Sequence, residues 1–248
     1  MRIILTNDDG FDALGINTVK EILQKYGEVY TFAPLHPQSG KSAGFTTYRK
    51  PIQVYQQDKY NFKVDGTPVD CVLFANAYFQ GDYDMVVSGC NNGYNMSNDL
   101  MYSGTCGACF QGLVFNKKCV ALSAPYFDDN QHIKKYIPIV MDYLFDNDLL
   151  SGEYYLNVSI NRADVEYKGI LLTKLHERYR SNYTLTKLTD QQDTYIVKHI
   201  HDDDILDNNE LDVSAVHNGY ISVTPVSLTP FKPQDYDKIV SKLAKTRK

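Results

Sequence analysis

No stretch of this sequence is apolar for long enough to span a bilayer, and with a strand-like run at its first residues no signal peptide is expected. A soluble, cytoplasmic protein is expected, in which the Asn-x-Ser match Asn95-Met96-Ser97 stays unglycosylated. Positive charge is scarce too: 25 Lys and Arg stand against 30 Asp and Glu, a net charge of −5. That leaves no broad basic face for a stable nucleic-acid partner, although a small anion remains compatible where cations gather locally. The cysteines are few and form no framework. Of the five, only Cys106-Gly107-Ala108-Cys109 makes a CxxC, and no second pair completes a zinc site. The motif lies among small residues with helix-interior character, which argues against redox chemistry. Also missing is a GxGxxG between the first strand and the first helix, so a dinucleotide cofactor is not expected.

What is present begins at once. Ile3-Ile4-Leu5-Thr6 is a short, β-branched run that reads as a strand buried on both faces, and it ends in Asp8-Asp9-Gly10. In open α/β sheets the carboxyl end of such a strand is the ligand-binding edge. Two adjacent carboxylates there do not both stay ionised without compensation, and hard oxygen ligands favour magnesium, calcium or manganese. An ordinary Asp-Asp-Gly turn is the alternative, but a turn does not need this position.

Helical spacing of Ile16, Val19, Ile22, Leu23 and Tyr26 follows, stopped at Gly27, and Val29 to Ala33 resumes strand character. The chain therefore opens with a βαβ unit. Gly40-Lys41-Ser42 resembles a phosphate loop, but a Walker A needs glycine where Leu35 stands. Ser39 is read instead as a hydroxyl presented beside Asp8 and Asp9. Residues 46 to 64 suggest an antiparallel excursion, and Asp70 a helix cap. Asp84 to Gly89 is another buried strand, running into Cys90-Asn91-Asn92-Gly93-Tyr94-Asn95. The side-chain carbonyl of Asn91 is a natural fourth metal ligand, while Asn92 and Asn95 can donate to a phosphoryl oxygen. Simple turn chemistry competes with that reading. Ser103-Gly104-Thr105 opens a helix over 106–115, either as a phosphate cradle or as an N-cap.

A strand at 120–123, a long helix over 133–145 and a strand at 154–159 continue the pattern. From about residue 161 it gives way to antiparallel character, with Ile170 to Thr173 and Thr194 to Val197 as strands around a polar excursion suited to another subunit. His199-Ile200-His201-Asp202-Asp203-Asp204 reads as a solvated loop rather than a metal site. Gly219 to Pro225 is a late strand ended by its proline, and Gln234 to Lys248 a basic amphipathic helix on the core.

Asn7-Asp8-Asp9-Gly10, Ser39-Gly40, Gly66-Thr67-Pro68-x-Asp70-Cys71, Ser88-Gly89-x-Asn91-x-Gly93-x-Asn95, Tyr102-Ser103-Gly104-Thr105 and Gly219-Tyr220-x-Ser222-x-Thr224-Pro225 together resemble the SurE family of 5′/3′-nucleotidases. The resemblance implies a single domain over 1–248. Its Rossmann-like three-layer αβα core of mostly parallel sheet would occupy 1–160, and a C-terminal extension over 161–248 would exchange between subunits of a homodimer or homotetramer. It implies one divalent ion, magnesium or manganese, on Asp8, Asp9, Ser39 and Asn91, with Asn95, Ser103, Gly104 and Thr105 facing the phosphate. The implied activity is that of a 5′-nucleotidase-type phosphoric monoester hydrolase, acting on nucleoside monophosphates and, in some members, on short polyphosphate. Asn161, Tyr195 and His217-Asn218 depart from the family pattern, and Lys41 is an unusual local positive charge.

A metal-activated water is the expected nucleophile, with Asp8 or Asp9 as general base. An aspartyl-phosphate is the nearest rival, but adjacent carboxylates lack the DxDx(T/V) spacing. A non-catalytic nucleotide- or phosphate-binding protein is the rival from another class.

Overall fold

The computed structural model describes residues 1–48, 50–176, 180–188, 194–202 and 207–228. β1 (Arg2–Thr6) is buried over its last four residues and lies inside the sheet. α1 (Leu14–Leu23) carries the chain to β2 (Glu28–Pro34), parallel to β1 with Ile3 opposite Val29. β3 (Val54–Gln56) and β4 (Asn61–Val64) form the expected antiparallel excursion, and β4 joins β2 in parallel. α2 (Pro68–Tyr78) then returns the chain to the other side of β1. There β5 (Met85–Asn92), α3 (Gly104–Val114), β6 (Lys118–Ala124), α4 (Gln131–Asp146) and β7 (Tyr154–Ser159) follow, with β1, β5, β6 and β7 parallel neighbours.

Alternation along the strands sends side chains to opposite faces. Ile3 and Leu5 pack with Ile16, Val19, Ile137 and Val140 of α1 and α4, whereas Ile4 packs with Val72, Cys106 and Cys109 of α2 and α3. Two cores on one mostly parallel sheet make this a three-layer, Rossmann-like αβα fold. The same packing answers the CxxC question. Cys106 and Cys109 are free and fully buried in the core; burial pushes the Cys106 thiol up to about 12 and that of Cys109 well above its ordinary value. Neither forms a thiolate near neutral pH.

After β7 come β8 (Gly169–Leu172), β9 (Arg180–Lys187), β10 (Tyr195–Asp202), α5 (Asp212–His217) and β11 (Tyr220–Ser227). The sheet order is β3-β4-β2-β1-β5-β6-β7-β11-β8, while β9 and β10 form a separate antiparallel pair. Two expectations are corrected here. The strand at Ile170 does not partner the one at Thr194; β8 runs parallel to β11 at the edge of the main sheet. Nor does Pro225 end the late strand, which pairs with β7 as far as Ser227. β8 stops opposite Val223, so the missing Pro225 N–H lies beyond the end of that neighbour, where proline is tolerated. The proposed C-terminal helix and the middle of the acidic run at 203–206 lie outside the described residues, as do the side chains of 199–202.

Asp70 serves as the expected cap. It closes a reciprocal capping box with Thr67 on α2, and its carboxylate also accepts from the backbone N–H groups of Thr46 and Thr47. Burial alone would raise its pKa, but the backbone donors outweigh burial and hold it below the usual carboxylate value. One side chain thus caps a helix and moors the loop after β2.

Candidate active site

The chain crosses from β1 to β2 on one side and reaches β5 on the other, so the strand order reverses at β1, where open α/β sheets bind ligands. A cavity of about 1170 Å³ opens at this edge. Asp8, Asp9, Ser39, Asn91, Asn95 and Ser103 all line it, drawn from the ends of three strands and the start of α3. Ser39 is brought in by its neighbour, since the Gln38 N–H donates to the Asp8 carbonyl oxygen at 2.7 Å.

Asp8 is buried and fixed. Its Oδ2 accepts from the N–H groups of Gly104 (3.1 Å) and Thr105 (3.2 Å), and its Oδ1 from Thr105 Oγ1 (2.7 Å). The positive end of α3 therefore faces a carboxylate of the chain itself. Gly104 and Thr105, read from the sequence as facing a phosphate, are absent from the cavity lining, and their backbone N–H groups donate to Asp8. Ser103 caps α3 through Oγ, which accepts from the Cys106 N–H, and the residue stands on the cavity lining.

Asp9 is half-buried, and its Oδ2 accepts one hydrogen bond, from the Asn92 N–H at 3.1 Å. Burial, followed by the charge of Asp8, pushes its pKa up to about 6 against that single bond. Among the described residues no Lys or Arg pairs with either carboxylate. Asn91 donates through Nδ2 to the Gly93 carbonyl (2.7 Å), which leaves its Oδ1 as the acceptor end. Asn92 is otherwise employed, exchanging hydrogen bonds with the backbone of Phe127 through both amide atoms. Asn95 Nδ2, by contrast, is buried without a partner.

A divalent cation fits these residues. Two carboxylates without a Lys or Arg partner, a hydroxyl and an amide oxygen make a hard, all-oxygen donor set of charge −2. Among the described residues there is no cluster of three or more His, Cys, Asp or Glu, so the neutral oxygens would complete the shell.

Gly104 has a role that its sequence motif did not reveal. A Cβ there would lie 2.9 Å from Asp8 Cβ and 3.0 Å from Asp8 Oδ2. Gly104→Ala should raise helix propensity, yet we expect it to lower any turnover at this site about tenfold or more by displacing the carboxylate. Steady-state assays beside a urea melt check this; an active enzyme of unchanged stability would show that Asp8 needs no such close approach.

Arg162 and Asp212 were not singled out by sequence reasoning, and His217 was noted only as a departure from the family pattern. Arg162 contributes the only Lys or Arg side chain on the lining among the described residues, whereas Lys41 is exposed and off it. The carboxylate of Asp212, wholly buried, accepts from the N–H groups of Ser97 (2.7 Å), His176 (3.0 Å) and Val213 (2.9 Å). It holds the loop that follows Asn95. An acidic residue ahead of an apolar helix was the only local signal.

Among the described residues no helix is long and apolar enough to cross a membrane. The family profile described as survival protein SurE matches residues 3–182. The 5′-nucleotidase SurE of Marinomonas sp. (strain MWYL1) is 34% identical over 232 residues, covering 91% of each chain. That of Clostridium botulinum (strain 657 / Type Ba4) is 35% identical over 238 residues, covering 91% of this chain and 92% of the relative. The crystal structure of the SurE protein from Aquifex aeolicus superposes with a TM-score of 0.83 at 29% identity, covering 96% of this chain and 98% of that one. With the fold, the ordered motifs and the relatives in agreement over nearly its whole length, the chain belongs to the SurE family.

Proposed function

We propose that the protein is a metal-dependent phosphomonoesterase that hydrolyses nucleoside 5′- and 3′-monophosphates, and short polyphosphate, to release inorganic phosphate. The observation that carries this reading is the convergence of two adjacent carboxylates, neither paired with a Lys or Arg among the described residues, with Ser39, Asn91 and the unpartnered Asn95 amide in one cavity. Relatives named 5′-nucleotidase SurE support the substrate class.

Asp8, Asp9, Ser39 and Asn91 are the residues to hold magnesium or manganese. Such an ion supplies positive charge for the phosphoryl oxygens and makes a neighbouring water more acidic. The chain's own groups do the rest. Asp8, with donors on both oxygens, is an orienting carboxylate with little freedom to turn. Asp9 has only one donor, at Oδ2, so its Oδ1 is the better atom to take a proton from the attacking water. Asn95 Nδ2 and the Ser103 hydroxyl are neutral groups placed to donate to charge developing on the phosphoryl oxygens.

The β9–β10 hairpin supports a homodimer or homotetramer. Among the described residues it pairs only with itself and exposes Leu185 and Val197 at 65% and 61%. A two-stranded sheet is marginal alone in water, so a second subunit is its natural cover.

Phosphate release from a panel of nucleoside monophosphates, with magnesium or manganese and again after chelation, tests the reading. Chelation should abolish turnover and restored metal should return it. Tight nucleotide binding without phosphate release under any metal would instead identify a binding protein.

A further inference from the structure

Opposite Asp8 and Asp9 stands a second wall that phosphate chemistry leaves unused. β1, β5, β6 and β7 lie side by side, and residues just past the end of each line the cavity: Asp8, Asn95, Tyr126 and Arg162. Three strand spacings of about 4.8 Å separate the first from the last, roughly 14 Å in all. Groups bound at Asp8 and at Arg162 therefore belong to opposite ends of an elongated ligand.

The chemistry of the far end differs from that of the near end. Tyr126 is 88% exposed, and its ring lies along Gly93, where even a Cβ would touch Cζ at 3.4 Å. A flat, solvated ring at a cavity wall is a stacking platform. The Arg162 guanidinium is held by Asp164 through Nε (2.9 Å) and Nη2 (2.5 Å), while Nη1 lies 3.0 Å from His217 Nδ1 at the end of α5. It is thus oriented from two elements, with a hydrogen left on each of Nη1 and Nη2. Val213 and Val216 of α5 add apolar surface beside it. Because Asp164 already matches the charge of Arg162, this wall suits a neutral, flat group with a polar edge better than a second anion.

We propose that this wall is the nucleobase subsite, with Tyr126 stacking on the base and Arg162, braced by His217, reading its polar edge. The proposal deepens the nucleotidase reading and rests on it.

Two measurements test it separately from catalysis: calorimetric binding of adenosine, and turnover of AMP against ribose 5-phosphate, which lacks a base. Tyr126→Ala changes an exposed side chain and should fold normally. It should weaken adenosine about tenfold and lower the ratio of kcat/KM for AMP over ribose 5-phosphate by a similar factor. Arg162→Lys keeps the charge but loses the fork, and should alter the AMP-to-UMP preference. An unchanged ratio together with unchanged adenosine affinity in Tyr126→Ala would overturn the proposal, as would absence of nucleoside binding by the wild type. Phosphate release from neither substrate, with adenosine binding still sensitive to Tyr126→Ala, would support the subsite while removing the hydrolase.

Discussion

Asp8→Asn should reduce phosphate release at least about a thousandfold while leaving the fold intact. The substitution preserves shape, so the side chain still fills the space beside Gly104; its one oxygen can accept from the Gly104 and Thr105 N–H groups while its amide nitrogen donates to Thr105 Oγ1. What it loses is half the negative charge of the proposed cation site and the match to the start of α3. Loss of the anion at a helix N-terminus costs about 1 kcal/mol, but the substitution also removes repulsion with Asp9, and the two effects offset each other. Activity and stability should therefore separate: turnover vanishes while the urea midpoint stays close to wild type. Metal affinity, followed by calorimetry, should fall in parallel with turnover. A variant that keeps metal affinity and a tenth or more of its activity would remove Asp8 from the proposed shell.

Asp212→Ala carries the largest expected effect on stability. Three backbone N–H groups lose a common acceptor in a place closed to water, and the cost should be about 3–5 kcal/mol. Turnover of the folded fraction should fall as well, because the Ser97 segment is no longer tied behind Asn95. Asp212→Asn keeps an acceptor and should cost less. The pH dependence has a definite sign. Burial raises the pKa of Asp212 in the folded protein even against its three donors. The native state therefore binds more protons than the unfolded chain between the ordinary aspartate value and the raised one. The contribution of Asp212 to stability thus declines as pH rises through that window and levels off above it. In Asp212→Asn this decline should be absent, and urea melts across the acid range compare the two directly.

Local pattern revealed much of the molecule. The β-branched run before Asp8-Asp9 did form the strand that ends at the cavity, helical spacing located α1 and α4, and small residues behind Ser103 located α3. Six of the eight site residues named from the sequence meet in one cavity. The failures have a common physical cause. Gly104 and Thr105 carry the composition of an anion site, and they do bind an anion, but that anion is Asp8, 96 and 97 residues upstream. Nothing near residue 104 tells which carboxylate will arrive. Asp212 and Arg162 were missed for the same reason, since their roles are set by Ser97, His176 and His217, all distant in sequence. Pro225 misled through a rule that holds for interior strands, whereas the neighbour that would need its N–H has already ended.

The order of the strands also bears on how the molecule is made. β8 has no partner in the main sheet except β11, which leaves synthesis some 50 residues after it. Until β11 slots between β7 and β8, the edge strand has nothing to pair with, and α5, which packs on β11, has nothing to rest on. A nascent chain emerging from the ribosome can thus assemble the strands that carry Asp8, Asp9 and Asn91 well before Val213, Val216 and His217 reach their places. The two ends of the cavity are separated in time as well as in space, and the half that holds the carboxylates is the earlier one.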